Sequence, residues 1–313
     1  DELMPKVSVI INCHNGAAYI EEAINSVFSQ TFTDWEIIFF NNASTDNSEE
    51  IASSFGNKVT IFNSEELLNL GHARAEAVNL SNGEWITFLD TDDLWIRNKL
   101  ETQLNEIDGT DFSLGYGGVI EINTKGNALR KQIPNYDSGN LFKEQLRNFE
   151  INMVTPIINA NFLSQNSLNF DSNFSVSEAF NLFIKICALS PIKVQKKVLG
   201  YYRVYEDSTT NKLMKNWASE RFSTLDFLKN NHKKLYDANK KVFESAYARG
   251  EYYQARYEYE QGNIKDAKSL IKRNFHVSRA YFFLYLITNF PLLWNFFHKR
   301  KVKSFFSKFF KVS

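Results

Sequence analysis

The sequence predicts an α/β protein: a mixed, mainly parallel sheet flanked by helices, with a helical C-terminal extension. Three observations carry this. Short apolar runs alternate with helix-patterned segments at intervals of roughly 25 residues over the first hundred positions, the pattern of βαβ units. Polar clusters follow those runs, at the strand ends where such sheets bind ligands. Beyond about residue 211 the strand pattern stops and apolar spacings become helical.

Val7–Ile11 reads as a buried strand, followed by a polar turn, Asn12 to Gly16. Ile20, Ala23, Ile24, Val27 and Phe28 then share one helical face. Glu36–Phe40 is a second strand, and Asp46 with Glu49 forms a capping box for the next helix. Val59–Phe62 is a third strand, Ala73–Leu80 a helix and Trp85–Leu89 a fourth strand. Strands are expected near Phe112 to Ile122 and over Val198–Val204, with a helix over Phe180–Leu189. Tyr247–Phe275 reads as a helical hairpin turning at Gln261-Gly262-Asn263. The expected organisation is a catalytic-type α/β domain over 4–210, a helical extension over 211–280, and an apolar then basic segment over 281–313.

Composition narrows the function. The 313 residues are 43% hydrophobic and 15% aromatic, enough for sizeable cores, which excludes wholesale disorder. Two cysteines, Cys13 and Cys187, cannot build a disulfide framework and fit a reducing compartment. The five histidines and two cysteines show no zinc spacing, and no GxSxG elbow occurs. Neither Gly-rich phosphate motif is present, which speaks against a nucleotidyltransferase. The 36 basic and 36 acidic residues cancel, but no acidic residue follows Asp266, while ten Lys or Arg do. A basic, Phe-rich tail of this kind suits the anionic surface of a membrane, or packing against a protein face.

The strongest chemical signal is Asp90-Thr91-Asp92-Asp93 at the end of the fourth strand. Carboxylates this close repel unless a cation offsets them. Hard divalent ions accept carboxylate oxygens and keep positions for phosphate oxygens, so Mg²⁺ or Mn²⁺ holding a diphosphate is one reading. A solvated acidic turn capping a helix at Leu94 is the other.

Together these residues resemble the family 2 glycosyltransferases of the GT-A, Rossmann-like fold, as found in bacterial surface-polysaccharide and lipid-linked glycan assembly. Pro5 to Asn15 is similar to the family's PxVSVIIPxYN start, and Ser26 to Ile38 to its SvLxQTfxdwEiI block. Asn41 to Asp46 stands where DDGSTD is usual. Asn69-Leu70-Gly71 and Ala73-Arg74 resemble NxGxxxARN with two residues missing, and Asn82 to Trp95 resembles GeyIxfLDaDDlw. The resemblance is good over about residues 5–100 and weak over 150–210.

What it implies is an inverting transfer from a nucleoside-diphosphate sugar, assisted by a divalent metal, to a glycan acceptor carried on lipid. No nucleic acid is involved. The enzyme is expected in the cytoplasm, peripheral at the inner face of the plasma membrane. Asn12 is implied beside the nucleotide, Asn42 at its base, Arg74 at the base or diphosphate, and Asp92 at the ribose. Asp93 is implied on the metal, with Asp90 in support. Four departures matter. Asn42 replaces an aspartate and offers both a donor and an acceptor, so the base stays open, with a UDP-sugar as first expectation. Ala179 stands where the family has its catalytic base, which leaves Glu178 as the candidate. Asn181 falls within the same segment, and Tyr205 replaces a histidine of the YRxHxxS motif. These departures keep a rival open: an inactive GT-A module that binds nucleotide or glycan as a scaffold.

Overall fold

The computed structural model describes residues 4–205 and 214–298. The end of the YRxHxxS-like motif and the basic tail, 299–313, lie outside the described residues.

The chain divides into two compact units, one of residues 1–145 and 149–208, the other of 146–148 and 209–313. The first opens with β1 (Val7–Cys13), α1 (Ile20–Phe28), β2 (Trp35–Asn41), α2 (Ser48–Ser53), β3 (Val59–Asn63), α3 (Leu70–Asn79) and β4 (Trp85–Phe88). There follow β5 (Leu94–Trp95), α4 (Lys99–Ile107), β6 (Leu114–Ile122), β7 (Ala128–Gln132) and α5 (Phe142–Arg147). It closes with β8 (Ile157–Asn159), α6 (Ala160–Gln165), α7 (Glu178–Leu189) and β9 (Ile192–Arg203). The strands form one sheet in the order β3-β2-β1-β4-β8-β6-β9-β5, with β7 beside β6. It is parallel through β3-β2-β1-β4 and mixed beyond.

Alternating apolar residues decide the layers. Val7, Val9 and Ile11 of β1 are fully buried with Ile20, Ala23, Ile24 and Val27 of α1, in a core that also takes Trp35, Ile37 and Phe39 of β2. The predicted 3–4 spacing of α1 is thus the face it lays on the sheet. In-register pairing of Cys13 with Asn41 and Ile10 with Phe88 brings the carboxyl ends of β1, β2 and β4 to one edge. Both cysteines are buried free thiols.

Three local expectations change. The capping box at Asp46 and Glu49 does not form: Asp46 accepts from the Ser48 and Ala17 amides, and Glu49 instead accepts from Asn41 and Asn63. Helix α3 starts earlier than predicted, because the Asn69 side chain accepts the His72 N–H at 2.9 Å and caps it. Leu94–Trp95 is a strand pairing with Tyr201 and Gly200 of β9, so the acidic run caps no helix there.

The second unit consists of α8 (Met214–Asn231), α9 (Lys233–Ala238), α10 (Lys240–Glu260), α11 (Ile264–Arg273), α12 (Arg279–Ile287) and α13 (Pro291–His298). The predicted hairpin is α10–α11, turning through Gly262 at φ +84°, a conformation glycine takes without strain. Ala248, Ala255, Ala267 and Ile271 form its core with Tyr281, Leu284, Ile287 and Trp294. No described helix is long and apolar enough to cross a membrane.

Candidate functional site

Three loops meet at the carboxyl edge of the parallel strands. The Asn42 N–H donates to the Cys13 carbonyl at 2.7 Å, and the Leu89 N–H to the Ile10 carbonyl at 3.0 Å. Asn15 and Ala43, each two residues past the end of its strand, take left-handed φ of +55° and +53°. Asn15 spans the gap, accepting the Thr45 amide at 2.8 Å while its own N–H reaches the Ser44 hydroxyl. Gly16 lies against the third loop, since a Cβ there would stand 2.9 Å from Cβ of Thr91.

Arg74 organises the interior side. Its guanidinium donates to Asp90 at 2.7 Å and forms an ion pair with Glu178. Arg74 is 4% exposed and Glu178 3%, so the second pair is dry. Burial opposes the charge on Arg74, but Asp90 and Glu178 hold it protonated. Helix α3 carries Arg74 into place because Gly71 lets its first turn touch the 171–174 loop. A Cβ there would lie 2.2 Å from the Asp171 carbonyl oxygen.

A second guanidinium, Arg203 at the end of β9, organises the other side. Its backbone N–H donates to Oδ1 of Asp93 at 2.7 Å and its Nε to the Asp92 carbonyl at 2.8 Å. Its Nη2 pairs with Glu22 at 3.0 Å, and its plane lies 4.2 Å from the Tyr19 ring. Tyr205 donates its hydroxyl to the Asp92 carboxylate. Asp93 is 1% exposed and its Oδ2 has no hydrogen-bond partner among the described residues. Burial first, then Asp90 and Asp92, hold its carboxyl well above the usual range. Asp92 is raised for the same reasons, burial and Asp90.

The structure therefore joins Arg74, Asp90 and Glu178 in one network and Asp92 and Asp93 in another around Arg203. Asn12 supports the first, donating to the Ala73 carbonyl at 2.9 Å and so tying β1 to α3. Asn42 is turned to the 64–68 loop, where its Nδ2 donates to the Leu68 carbonyl and its Oδ1 accepts the Leu68 N–H, both at 2.9 Å. Arg203, Glu22 and Tyr19 carried no predicted role. The only signal for Arg203 was its place in the YRxHxxS-like stretch; Glu22 lies on a helix face with no motif at all.

Among the described residues no three His, Cys, Asp or Glu side chains surround a common point that could hold a metal. The unpartnered, buried Oδ2 of Asp93 nonetheless fits a cation with one protein carboxylate and its other positions filled by a ligand's oxygens. Asp90 accepts from Arg74 through its Oδ1.

A family model described as glycosyl transferase family 2 matches residues 8–172, more than half the chain. The chain belongs to glycosyl transferase family 2. An uncharacterized glycosyltransferase of Rickettsia typhi is 32% identical over 216 residues, covering 66% of this chain and 66% of that protein. A Rickettsia felis relative is 30% identical over 67% of this chain, which spans only 36% of it. An Escherichia coli family member, UDP-Glc:alpha-D-GlcNAc-diphosphoundecaprenol beta-1,3-glucosyltransferase WfgD, is 26% identical over 74% of this chain and 89% of its own. Among solved structures, S. aureus TarS 1–349 in complex with UDP-GlcNAc superposes with a TM-score of 0.65 at 17% identity, over 97% of this chain and 92% of that one. A Pyrobaculum calidifontis mannosyltransferase in complex with GDP-Man and Mn²⁺ has a TM-score of 0.55 at 12% identity, over 96% and 88%. At these identities the last two speak for the fold, and they agree on the α/β architecture derived above.

Proposed function

We propose that this family 2 chain is an inverting glycosyltransferase. It moves a sugar from a nucleoside-diphosphate sugar, UDP-linked in the first instance, to a glycan acceptor carried on lipid. One observation carries the reading: a strand-end acidic run whose buried Asp93 keeps, among the described residues, an unpartnered carboxylate oxygen, an arrangement that a cationic ligand would stabilise. The WfgD relative, named for a UDP-sugar donor and a diphosphoundecaprenol acceptor, supports the substrate classes. The S. aureus TarS neighbour, bound to UDP-GlcNAc, supports the donor.

Asp93, with Asp90 behind it, would hold the divalent ion, Mn²⁺ or Mg²⁺, which supplies positive charge to the departing diphosphate. The protein's own part is positioning and proton transfer. Asp92 takes the ribose, and Asn12 and Asn42 shape the nucleotide side. An acceptor hydroxyl attacks the anomeric carbon as the bond to the diphosphate oxygen breaks. The hydroxyl proton passes to the Glu178 carboxylate, oriented by Arg74. The product has inverted configuration, with no covalent intermediate. The basic tail holds the protein at the cytoplasmic leaflet, beside its lipid-borne acceptor.

A second reading, an inactive nucleotide- or glycan-binding scaffold, is favoured by the burial of Glu178 in its pair with Arg74 and by Ala179. Thermal unfolding with a panel of UDP-, GDP-, CDP- and dTDP-sugars, with and without Mn²⁺, tests the donor site. The expected result is a metal-dependent rise with a UDP-sugar that Asp93→Ala abolishes. No rise with any donor rejects the transferase.

A further inference from the structure

Helices α12 and α13 each bury one face and expose another. Tyr281, Leu284, Ile287 and Trp294 point into the core of the helical unit. The outward face of a helix packed this way is ordinarily polar. Here Phe282, Phe283, Leu286, Leu292, Leu293 and Phe296 are exposed on the two helices and Phe290 in the link between them, from 41% at Phe283 to 86% at Leu292. Single exposed apolar residues are common, but seven between positions 282 and 296 are a patch that asks for a partner.

Charge identifies the partner. No carboxylate follows Asp266, Arg279 opens α12 at the surface, and Lys299, Arg300, Lys301 and Lys303 continue directly from α13 in sequence. A second copy of the same face would bring cation against cation. A bilayer surface with anionic headgroups accepts both components, the phenyl and leucyl groups at the acyl boundary and the cations among phosphates. We propose that the outward α12–α13 face inserts into the headgroup layer of an anionic lipid bilayer. This rests on the membrane part of the proposed function and adds that apolar insertion by folded helices, beyond charge on the tail, holds the protein there. It is independent of the donor chemistry.

The test uses the full chain with vesicles of phosphatidylglycerol and phosphatidylcholine, or phosphatidylcholine alone, in a flotation assay. Three proteins are compared: wild type, Leu286→Ser/Leu292→Ser/Phe296→Ser, and a tail variant with Lys299, Arg300, Lys301 and Lys303 changed to Gln. The three serines replace exposed side chains, so unfolding should match wild type, and this is checked first. Expected is binding of wild type to the anionic vesicles that partly survives about 0.5 M salt. The triple variant should lose at least about tenfold of it. In addition, Phe296→Trp should gain fluorescence quenching by brominated lipid over wild type. If the triple variant binds like wild type while the tail variant does not, charge alone anchors the protein; the inference falls and the membrane reading stands. If wild type binds neither vesicle, both fall. Self-association of wild type that the triple variant abolishes, with vesicle binding unchanged, makes a second copy the occupant and also overturns it.

Discussion

Asp93→Asn should stabilise the ligand-free protein and abolish its response to donor and metal. Asp93 is 1% exposed, its Oδ2 lacks a partner among the described residues, and Asp90 and Asp92 stand beside it in the same turn. An amide keeps the one bond that orients the side chain, from the Arg203 N–H to Oδ1, and removes the buried charge. A buried polar group without a partner costs about 1–3 kcal/mol. The new N–H₂ recovers only part of this by donating to the neighbouring carboxylates, so a net gain of about 1–2 kcal/mol is expected. For a unit of this size that is a Tm increase of roughly 2–8 °C. The sign with pH follows from the raised carboxyl. The folded state holds its proton to higher pH than the unfolded state, so the wild type loses stability as pH rises from the ordinary aspartate range through the folded value. The advantage of Asp93→Asn therefore grows with pH and vanishes near pH 3. Differential scanning fluorimetry in chelator at several pH values measures it. A variant less stable than wild type at neutral pH would refute the reasoning, as would a retained Mn²⁺–donor shift.

Glu178→Gln separates base from strut: transfer should fall about 10²–10⁴-fold with donor binding intact, and an unchanged kcat removes Glu178 from the chemistry. Arg74→Met leaves Glu178 buried without its cation and should cost about 3–5 kcal/mol in denaturant unfolding, most of it from Glu178 because Asp90 is partly solvated. Gly71→Ala places a Cβ against two backbone carbonyl oxygens, of Asp171 and Phe174, and should cost roughly 1–3 kcal/mol by the same measurement. Ala43→Gly relieves a left-handed alanine at φ +53°, worth about 1–2 kcal/mol. Glycine's greater freedom in the unfolded chain offsets part of that, about 0.4–1 kcal/mol. The predicted outcome is a modest gain in unfolding midpoint.

The first four strands were legible because each is an apolar run bounded by turn residues, and because parallel pairing forces their polar ends together. The acidic run was legible because like charges at such spacing need a physical reason. The helical hairpin was legible through Gly262. What the sequence did not reveal are partners chosen in three dimensions. Nothing local says that Arg74 pairs with Asp90 and also with Glu178, which lies 104 positions after Arg74, or that Arg203 holds Asp93 across 110. The short β7 and β8 are equally opaque: β8 has three residues and no alternation to read, and it exists because β4 and β6 both offer it edges. Asn42 shows the same limit, since nothing in its motif says that its amide pairs with the Leu68 backbone, 26 positions on.

The two guanidiniums also divide the charge of the site unevenly. Arg74 answers Asp90 and Glu178, and Arg203 answers Glu22 and the Asp92–Asp93 turn, so five carboxylates face two fixed cations. Glu22 is largely solvated and matters little. Asp92 and Asp93 remain undercompensated, and both are pushed toward the protonated form. The diphosphate of the proposed donor would bring further negative charge into this surplus. Repulsion would oppose it unless a cation enters with it, and the divalent ion proposed on Asp93 would reverse the sign of the encounter. On that proposal donor affinity should fall steeply as pH drops and Asp93 takes up its proton, because the proton and the metal would compete for the same oxygens.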